Sequence, residues 1–561
     1  MKIVIIGGVA GGASAAARLR RLNEQAQITI FERSGYVSYA NCGLPYYVGG
    51  AIENEGDLTL QTPQSFRRRF NIDVRVKHEA VRINREAKTV TVRNLENGET
   101  FDEPYEKLIL SPGAKPIRPD FPGVDSRRVF TLRTVEDTLR IRRFVEDEKP
   151  QSAVVIGGGF IGLEMAENLR ERGMEVTLVE KAPQVLAPLD EDMASFVHGK
   201  LIRHGVKLHL NTGVTGFEEQ DGGILTLTDR TEPLMAQMVL LSIGVAPEST
   251  LAREAGLALG VKGSIAVDEH MRTSDEDIYA VGDAVQVKHG VTRQDALISL
   301  AGPANKQGRI AADHICGLNS AYRGSFGSSV LKLFDMTAAA TGLNERAARA
   351  AGLDYDKVVI SPASHASYYP GGKAMTLKVI FEKQTSRILG AQIVGFDGVD
   401  KRIDVLATAM QAGMSALDLK DLDLAYAPPF SSAKDPVNMA GFVIENVVTG
   451  VVKQFHYEDL ITLPRDGSVT LLDTRTPGEY ERGHADGFIN IPVDDLRSRL
   501  VEIDRSKPVY VMCQSALRSY IACRILTQNG LECHNFSGGY RFYESIAQNR
   551  MRETVNTPCG K

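Results

Sequence analysis

The chain has 561 residues, of which 43% are hydrophobic and 24% are charged, and its formal net charge is −5 at pH 7. This length predicts several domains, and the composition is that of an ordinary globular protein. The slightly acidic balance argues against the strong basic field that suits nucleic acids or anionic membranes. No apolar run approaches the roughly 18 residues that a membrane-spanning helix needs, so we expect no membrane insertion.

The six cysteines are sparse and scattered. They include no CxxC pair and no spacing typical of metal ligands, so we expect neither a disulfide framework nor a metal site. Sparse cysteines of this kind are typical of a reducing, cytoplasmic compartment. The opening stretch, MKIVIIGGVAGG, is too short and too rich in glycine for a secretory signal, and it predicts a buried strand that enters a turn.

The first predicted unit is a strand at residues 3–6, a glycine-rich turn, an alanine-rich helix and a second strand that ends in Glu32. This order is typical of a dinucleotide-binding fold. Its glycines let the backbone approach a pyrophosphate at the helix N-terminus, and its acid accepts from a ribose hydroxyl. Val9 stands where the middle glycine is usual. The glycines of this turn are Gly7, Gly8, Gly11 and Gly12.

A second unit of the same kind begins with a strand at residues 153–156, and its second strand ends in Glu180. One glycine trio is a weak signal, because structural turns often contain one. Two complete units in one chain, however, predict two dinucleotide sites. The glycines of the second turn are Gly157, Gly159 and Gly162.

A third motif, DIYAVGDAV, places Gly282 and Asp283 at the end of a short strand. Taken alone, this acid is better explained as a turn residue. Its position after the second unit indicates instead that the chain returns to the first domain, where an acid can bind a ribityl hydroxyl of a flavin. We therefore expect the second nucleotide domain to be inserted into the first.

The remaining chain alternates strand-like and helical runs, and then reaches a distinct C-terminal unit. The predicted fold class is α/β, with two Rossmann-like domains, an α+β domain and a C-terminal α/β domain. The predicted boundaries are 1–150 and 266–322 for the first nucleotide domain, 151–265 for the inserted one, 323–447 for the α+β domain, 448–458 for a link and 459–555 for the last domain.

Residues 1–447 resemble the flavin-dependent pyridine nucleotide-disulfide reductases, through the two glycine turns and the stretches SYANCGLPYY and YAVGDA. The resemblance implies FAD in the first nucleotide domain, NADH or NADPH in the inserted nucleotide domain, and a dimerisation domain at residues 323–447. The residues that it implies around the two cofactors are Gly7, Gly8, Ala10, Gly11, Gly12, Glu32, Arg33, Asn41, Ala80, Ser111, Gly113, Gly157, Gly159, Gly162, Glu180, Gly282, Asp283 and Ala301.

Cys42 has no partner at Tyr47, where a CxxxxC redox pair would place its second cysteine. The chain therefore resembles the single-cysteine branch of the family, which contains coenzyme A-disulfide reductases, NADH oxidases and NADH peroxidases. The oxidases and peroxidases typically carry a histidine where this chain has Ala10. The stretches HASYYPGG and AYAPPFSSAKDP resemble the coenzyme A-disulfide reductases, and in particular their longer form, which is fused to a rhodanese domain.

The C-terminal unit resembles a rhodanese domain on two further stretches, LDTRTPGEYERGHADGFINIP and VYVMCQSALRSY. In rhodaneses a six-residue loop from cysteine to arginine forms an anion cradle, and Cys513 to Arg518 matches it. Ser515, Ala516 and Leu517 replace the usual glycines of the loop. A buried structural thiol is the alternative interpretation of Cys513; the cradle predicts a thiolate that carries sulfane sulfur as a persulfide, beside the charge of Arg518.

Cys42 follows Asn41, which we expect to cap a helix whose first turn contains the cysteine. The helix N-terminus would then lower the pKa of the thiol and favour the thiolate. A lone thiol of this kind can form a mixed disulfide with a small thiol, or a sulfenate. The sequence thus predicts an intermolecular partner for Cys42.

Two basic runs, at residues 18–21 and 67–69, could bind the phosphates of coenzyme A, although most such runs are solvated helix faces. The resemblance also implies that Tyr368 and Tyr426 reach the sulfur from the partner subunit of a homodimer, as acid or hydrogen-bond donors. The residues that it implies around coenzyme A are Ser14, Arg18, Arg21, Ser38, Asn41, Arg69 as one of the 67–69 run, and Lys434.

The predicted function is FAD-dependent reduction by NAD(P)H of coenzyme A disulfide, coenzyme A persulfide or polysulfide through Cys42, with Cys513 binding or transferring sulfane sulfur. Glu180 favours NADH, because an acid repels a 2′-phosphate, although Lys181 beside it weakens that inference. Two alternatives stay open. One is an NADH oxidase or peroxidase with a Cys42 sulfenate, and the other is a non-catalytic sulfur carrier or redox sensor.

Overall fold

The computed structural model describes residues 1–556, and the side chains of residues 1–551. The chain forms two compact units. Unit 1 consists of Met1–Val185 and His204–Gly327, and unit 2 consists of Leu186–Arg203 together with the chain from Ser328 onward.

The helices and strands are numbered in chain order. The helices are α1 (Ala10–Leu22), α2 (Leu44–Gly49), α3 (Pro63–Phe70), α4 (Val135–Glu148), α5 (Phe160–Glu171), α6 (Glu191–Arg203), α7 (Thr250–Glu254), α8 (Ala301–Ile315), α9 (Glu345–Ala350), α10 (Val399–Gln411), α11 (Pro436–Val448), α12 (Tyr457–Leu460), α13 (Pro477–Glu481), α14 (Leu517–Gln528) and α15 (Gly539–Asn556). The strands are β1 (Lys2–Ile6), β2 (Gln27–Glu32), β3 (Asp73–Val76), β4 (His78–Asn84), β5 (Thr89–Asn94), β6 (Thr100–Pro104), β7 (Lys107–Leu110), β8 (Ala114–Pro116), β9 (Val129–Phe130), β10 (Ser152–Ile156), β11 (Glu175–Val179), β12 (Lys207–His209), β13 (Val214–Gln220), β14 (Gly223–Thr228), β15 (Leu234–Ala236), β16 (Met238–Leu241), β17 (Val245–Pro247), β18 (Ile278–Ala280), β19 (Val287–Lys288), β20 (Asp295–Ala296), β21 (Ser329–Leu333), β22 (Met336–Gly342), β23 (Tyr355–Ile360), β24 (Thr376–Glu382), β25 (Ile388–Gly395), β26 (Lys453–Phe455), β27 (Thr470–Asp473), β28 (Ile489–Asn490), β29 (Val509–Met512) and β30 (Cys533–Phe536).

The first sheet of unit 1 is parallel, with the strand order β18-β7-β1-β2-β3. The apolar run of β1 is fully buried, as expected for a central parallel strand. β18 joins this sheet although a second sheet lies before it in the chain. The third motif therefore stands at the carboxyl end of the same sheet as the first glycine turn.

The second sheet of unit 1 has the order β12-β11-β10-β16-β9 and is also parallel. The glycine turn between β10 and α5 matches the turn between β1 and α1. Leu186–Arg203, which lies within the predicted 151–265 domain, is part of unit 2. The apolar face of α6, which includes Met193, Val197 and Leu201, is buried there.

Unit 2 begins with an antiparallel sheet of order β21-β22-β25-β24-β23. A charged group lies in its core, because the ammonium of Lys378 on β24 is fully buried. Its Nζ atom lies 2.9 Å from Asp190, 2.8 Å from Asp192 and 2.5 Å from Glu345. These carboxylates are the one set of three that could hold a metal among the described side chains, and the lysine ammonium lies among them.

The C-terminal sheet of unit 2 has the order β26-β30-β29-β27-β28 and is parallel. β26 lies within the segment 448–458, for which the sequence predicts a link. Gln454 on β26 donates to the carbonyl oxygen of Lys357 at 2.7 Å, and Ser537 accepts from the backbone N–H of Val359 at 2.9 Å. The edge strand β23 is thus covered by the C-terminal sheet, so the segment is structured in its second half.

No helix among the described residues combines the length and the apolar character that crossing a membrane requires.

Candidate functional site

In the first glycine turn, the glycine positions have no room for side chains. Gly7 has a φ of +94°, and a Cβ there would lie 2.1 Å from the carbonyl oxygen of Ser111. A Cβ on Gly12 would lie 1.9 Å from the carbonyl oxygen of Gly7, so α1 packs directly on the turn. Glu32 at the end of β2 is buried and accepts from the backbone N–H of Gly8 at 2.8 Å. The turn and the acid therefore stand together, as dinucleotide binding requires.

The second glycine turn repeats this geometry. Gly157 has a φ of +102°, and a Cβ on Gly162 would lie 1.9 Å from its carbonyl oxygen. Glu180 at the end of β11 accepts from the backbone N–H of Gly158 at 2.6 Å. A Cβ on Gly159 would meet nothing within 4 Å, so space is open beside the middle of this turn. Such open space next to a crowded turn suits a ligand pyrophosphate.

Arg133 joins Asp283 to the cysteine segment, and no sequence motif indicated it. Its guanidinium donates to Asp283 Oδ2 at 3.1 Å and to the carbonyl oxygen of Ala114 at 2.9 Å. In the amide orientation that satisfies both groups, Asn41 accepts from Arg133 Nη1 at 2.6 Å and donates to the Arg133 carbonyl at 3.0 Å. Asn41 is therefore held by Arg133 and not by a helix end.

Cys42 is exposed and lies in a 3₁₀ turn, Asn41–Gly43, that leads into α2. The expected helix cap is absent, because Asn41 makes no side-chain cap bond and Gly43 stands at the start of α2. The expected low pKa is also wrong. Desolvation and the charges of Glu164 and Asp283 raise the pKa of the Cys42 thiol, and Arg133 only partly opposes them.

Two tyrosines lie on α2 behind the cysteine. Tyr46 is hydrogen-bonded to Glu164 of α5, and desolvation together with Glu167 raises the pKa of Glu164 to about 7. Tyr47 is buried where a second redox cysteine would stand. The guanidinium of Arg142 lies 4.5 Å from the centre of its ring and donates to its carbonyl oxygen at 2.6 Å. Cys42 consequently has aromatic and carboxyl neighbours but no second thiol in the adjoining helix.

A groove of about 390 Å³ runs along α1 and α8. It brings together four of the predicted residues, namely Ser14, Arg18, Arg21 and Ser38. Phe66, Asn305 and Arg309 also line it, and Ser14 donates to Asn305 at 2.5 Å. The sequence could not indicate Asn305 and Arg309, because they come from a helix almost 300 residues away.

The arginines of the two basic runs have different partners. Arg18 is paired with Asp313 at 2.6 Å, whereas Arg21 is exposed in the groove. Arg20 is buried and donates to five backbone carbonyls, so it holds the structure together rather than facing a ligand. Arg69 is exposed and lies outside the groove residues. Arg67 and Arg68 line a separate, shallower groove of about 440 Å³.

The other residues predicted around the cofactors occupy varied positions. Ala10 is the first residue of α1, and Ala301 is the first residue of α8 and exposed. Arg33 is exposed, whereas Ala80 is buried in β4. The remaining predicted residues lie near Arg133 or at the glycine turns. Ser111 packs against Gly7, Gly11 packs against Val281, and Gly8 packs against Val37. A Cβ on Gly113 would meet Arg133, and the backbone N–H of Gly282 donates to Gln307.

Tyr368 and Tyr426 lie in two loops of unit 2, and their hydroxyl oxygens are 2.5 Å apart. Both side chains are solvent-exposed, by 73% and 45%. Arg402 of α10, which is buried, connects the two loops by donating to the carbonyl oxygen of Ser364 at 3.0 Å and to Asp435 at 3.0 Å. Lys434 is exposed beside Asp435. The two phenols thus lie together, on loops that the buried Arg402 joins.

Cys513 follows β29 directly and is fully buried. Its Sγ accepts from Ser519 Oγ at 3.2 Å. Ala516 has a φ of +70°, in the left-handed region that glycine usually occupies, and it precedes α14. A Cβ on Gly539 would lie 2.7 Å from the Cys513 carbonyl oxygen and from two backbone nitrogens of the loop. Gly539, the first residue of α15, therefore closes the loop from behind.

Arg518 is not a free cation, because it makes two bonds of 2.7 Å to the carboxylate of Glu479. Arg518 and the backbone of Thr476 lower the pKa of Glu479 to about 2. Nearby, Arg475 is buried against Asp473, and its guanidinium lies 3.8 Å from the centre of the Tyr540 ring. The cradle thus stands beside a compact network of paired charges.

Protein-family comparison matches three consecutive parts of the chain. Residues 1–308 match the pyridine nucleotide-disulphide oxidoreductases, residues 328–436 match the dimerisation domain of that family, and residues 456–545 match the rhodanese-like domain.

Individual relatives agree with this division. A coenzyme A disulfide reductase of Staphylococcus haemolyticus is 35% identical over 442 residues, which are 79% of this chain and 98% of the relative. The structure of reduced Bacillus anthracis CoADR-RHD is 49% identical, covers 98% of both chains and superposes with a TM-score of 0.95. A NAD-dependent persulfide reductase from A. fulgidus is 40% identical, with a TM-score of 0.92, over 97% of this chain and 100% of that one.

The first of these family models alone spans 308 of the 561 residues. Its region contains both glycine turns, Asp283 and Cys42. The chain therefore belongs to the pyridine nucleotide-disulphide oxidoreductase family and also carries a C-terminal rhodanese-like domain.

Proposed function

We propose that this protein uses NADH and FAD to reduce coenzyme A disulfide, coenzyme A persulfide or polysulfide at Cys42. The observation that carries the proposal is an exposed lone thiol beside Arg133 and Asp283, with the buried Tyr47 where a second cysteine would stand. A lone thiol needs an intermolecular sulfur partner. The coenzyme A disulfide reductase and persulfide reductase relatives support the substrate class.

The residues of unit 1 fit the two cofactors. Each glycine turn is crowded by its own backbone, while Glu32 and Glu180 stand where a ribose hydroxyl would donate. Asp283, which Arg133 holds, would accept from a ribityl hydroxyl of FAD. When bound, FAD supplies two-electron transfer between NADH and sulfur. The carboxylate of Glu180 favours NADH over NADPH, because it repels a 2′-phosphate.

Cys42 acts as the nucleophile on sulfur. Its thiolate attacks one sulfur of coenzyme A disulfide, the S–S bond breaks, and one coenzyme A leaves as a thiolate. A mixed disulfide between Cys42 and the second coenzyme A remains. Two electrons, which NADH provides, break that bond and restore Cys42. With coenzyme A persulfide as substrate, the products are coenzyme A and sulfide, and with polysulfide they are sulfide and a polysulfide one sulfur shorter.

The groove along α1 and α8 supports coenzyme A as the bound thiol. Arg21 and Arg309 offer cations for phosphates, Ser14 and Ser38 offer hydroxyl groups, and Phe66 offers an apolar surface. Arg18 contributes less net charge, because Asp313 neutralises it. We therefore assign the phosphate contacts mainly to Arg21 and Arg309. The arginines of the second basic run, Arg67, Arg68 and Arg69, do not line this groove.

We further propose a homodimer in which Tyr368 and Tyr426 complete the Cys42 site of the partner subunit, with Lys434 near the coenzyme. The match to a dimerisation domain supports this assembly. The exposure of both phenols and their shared hydrogen bond support it as well. A phenol that already accepts a hydrogen bond can donate its own proton to the leaving thiolate.

The rhodanese-like domain takes sulfane sulfur onto Cys513. A donor such as thiosulfate transfers its outer sulfur to the Cys513 thiolate, the S–S bond of the donor breaks, and sulfite leaves. The persulfide then lies beside the Ser519 hydroxyl and the N-terminus of α14. A flexible coenzyme A thiol can carry this sulfur to Cys42.

Anaerobic turnover of NADH on a panel of acceptors tests the proposal. We expect oxidation of NADH with coenzyme A disulfide, coenzyme A persulfide or polysulfide, and none with peroxide or oxygen alone. Turnover driven only by oxygen or peroxide would instead indicate an oxidase or peroxidase. Absence of turnover on the whole panel, in protein that contains FAD, would indicate a carrier or sensor.

A further inference from the structure

The rhodanese-like domain contains two more cysteines, Cys523 and Cys533, whose positions the proposed function does not explain. Both are buried, with 1% and 5% of their surfaces exposed. Cys523 lies in the middle of α14, and Cys533 is the first residue of β30. Both are free thiols.

The two thiols are direct neighbours. Cys533 Sγ donates to the backbone carbonyl oxygen of Cys523 at 3.1 Å, which brings the two residues into contact. Thr527 Oγ1 lies 3.0 Å from the same sulfur. Hydrogen bonding from the Cys523 thiol, and then from Thr527, lowers the pKa of Cys533 to about 7, whereas the same bond and desolvation raise the pKa of Cys523. One thiol of the pair is thus readily ionised, and the other keeps its proton.

The pair lies on the helix face that leads away from Cys513. Ser519 touches Cys513 Sγ, and Cys523 follows it by four residues on the same buried face of α14. Thr527, which touches Cys533, follows by four more residues. The charge of a Cys513 thiolate is felt at Cys523, where it contributes to the raised pKa. A row of hydroxyl and thiol groups therefore runs along α14 from the cradle, through the buried Cys523, to the exposed Thr527.

From this arrangement we propose that Cys523 and Cys533 form a second sulfur site, a dithiol that accepts sulfane sulfur from Cys513 and reduces it to sulfide. The inference rests on the proposed loading of Cys513. It adds a reductive step inside the rhodanese-like domain that needs neither NADH nor Cys42.

The step balances in atoms and electrons. Cys523 attacks the outer sulfur of the Cys513 persulfide, its proton passes to Cys533, and Cys513 leaves as a thiolate. Cys533 passes this proton to the outer sulfur and, as a thiolate, attacks Cys523 Sγ, so that hydrosulfide leaves. The products are a Cys523–Cys533 disulfide, reduced Cys513 and hydrogen sulfide. The dithiol loses two electrons, and the sulfane sulfur gains them.

The test uses the full-length flavoprotein with the substitution Cys42→Ser, without NADH and without oxygen, so that the reductase site contributes no sulfide. Thiosulfate is the probe. Sulfite reports each loading of Cys513, and sulfide reports the dithiol. We expect about two sulfite and about one sulfide per chain, because Cys513 reloads once after it passes on its first sulfur. Mass spectrometry of non-reduced peptides should then show a Cys523–Cys533 cross-link.

Variants separate the inference from the proposed function. With Cys523→Ser added, we expect about one sulfite and no sulfide, because Cys513 cannot pass on its sulfur. With Cys533→Ser added, we expect no sulfide, because no second thiol displaces the sulfur from Cys523. The matched control Cys316→Ser, a thiol in unit 1, should leave both yields unchanged. Thermal melting before the assay shows whether each variant is folded. If a serine variant is not folded, the corresponding alanine variant replaces it.

The contradicting outcomes are distinct. One sulfite per chain without sulfide or cross-link, in protein that keeps both cysteines, would overturn the second site and leave the loading of Cys513 intact. No sulfite at all would overturn the proposed role of Cys513, and the second site with it. A cross-link that also forms when Cys513 is replaced by serine would overturn the transfer from Cys513.

Discussion

Cys42 and Cys513 differ in their surroundings, and this difference predicts separate activities. Cys42→Ser should lower NADH-dependent reduction of every disulfide and persulfide by at least about a thousandfold, because a hydroxyl does not ionise near neutral pH. Bleaching of the flavin by NADH should survive. Cys513→Ser should leave reduction of coenzyme A disulfide intact and remove sulfur transfer from thiosulfate. The measurement is both activities on both variants under anaerobic conditions.

The matched control for this pair is Cys316→Ser, which should keep both activities. Serine preserves the side-chain volume closely, so a loss reports nucleophilicity rather than packing. Equal loss of coenzyme A disulfide reduction in the two variants would contradict the division of work between the thiols.

Glu164 offers a second test at the residue scale, because its charge helps to raise the pKa of Cys42. Glu164→Gln removes that charge, so the pKa of Cys42 should fall. The wild-type protein should differ from the variant above pH 7, where Glu164 is ionised, and should approach it at lower pH, since the pKa of Glu164 is about 7. The measurement is the rate of Cys42 alkylation as a function of pH.

Glu171→Gln, on the exposed end of the same helix, is the matched control and should leave the profile unchanged. An unchanged pKa of Cys42 in Glu164→Gln would show that desolvation and Asp283 raise it without help from Glu164.

At the scale of elements, Arg402 is the group that connects the loops of Tyr368 and Tyr426. Its guanidinium binds Asp435, Ser431 and the carbonyl oxygen of Ser364 at once, which a lysine ammonium cannot reproduce. Arg402→Lys should therefore keep the fold and FAD but lower kcat for coenzyme A disulfide by roughly tenfold, through displaced phenols. KM should change less, since the groove lies in unit 1.

Lys401→Met is the control for this prediction. Lys401 is partly exposed, and its Nζ atom lies as far as 3.9 Å from Asp435 Oδ2. This long, partly solvated ion pair therefore contributes little to stability. An unchanged kcat in Arg402→Lys would contradict this prediction. If kcat, KM and the melting temperature all changed together, the role of Arg402 would be purely structural.

At the scale of the whole molecule, the sequence predicted most of the architecture, because its signals are local. Each glycine turn is followed by its acid within a single strand–helix–strand unit, and the cradle from Cys513 to Arg518 is continuous. Arg133 escaped prediction, since it is 91 residues from Cys42 and belongs to no motif. The pairing of Arg518 with Glu479 and the place of Leu186–Arg203 in unit 2 depend on packing between distant segments, which periodicity does not encode.

The proposed dimer leads to a prediction that only an assembly of two chains can satisfy. If Tyr368 and Tyr426 complete the site of the partner subunit, a chain with Cys42→Ser still supplies intact phenols to its partner. A chain with Tyr368→Phe and Tyr426→Phe still supplies Cys42. Each variant alone should be nearly inactive on coenzyme A disulfide. Heterodimers of the two, co-expressed with different tags and purified on both, should contain one complete site and recover about half of the wild-type activity.

The same experiment distinguishes the two possible assignments of the phenols, to the partner subunit or to their own chain. Were the tyrosines to serve Cys42 of their own chain, neither chain of the heterodimer would hold a complete site, and activity would stay at the level of the variants. The control is a heterodimer of Cys42→Ser with a tagged wild-type chain. It has one complete site under either assignment and should reach about half of the wild-type activity. Recovery in this control but not in the mixed variant dimer would contradict the shared site, while full activity of an isolated monomer would contradict the dimer itself.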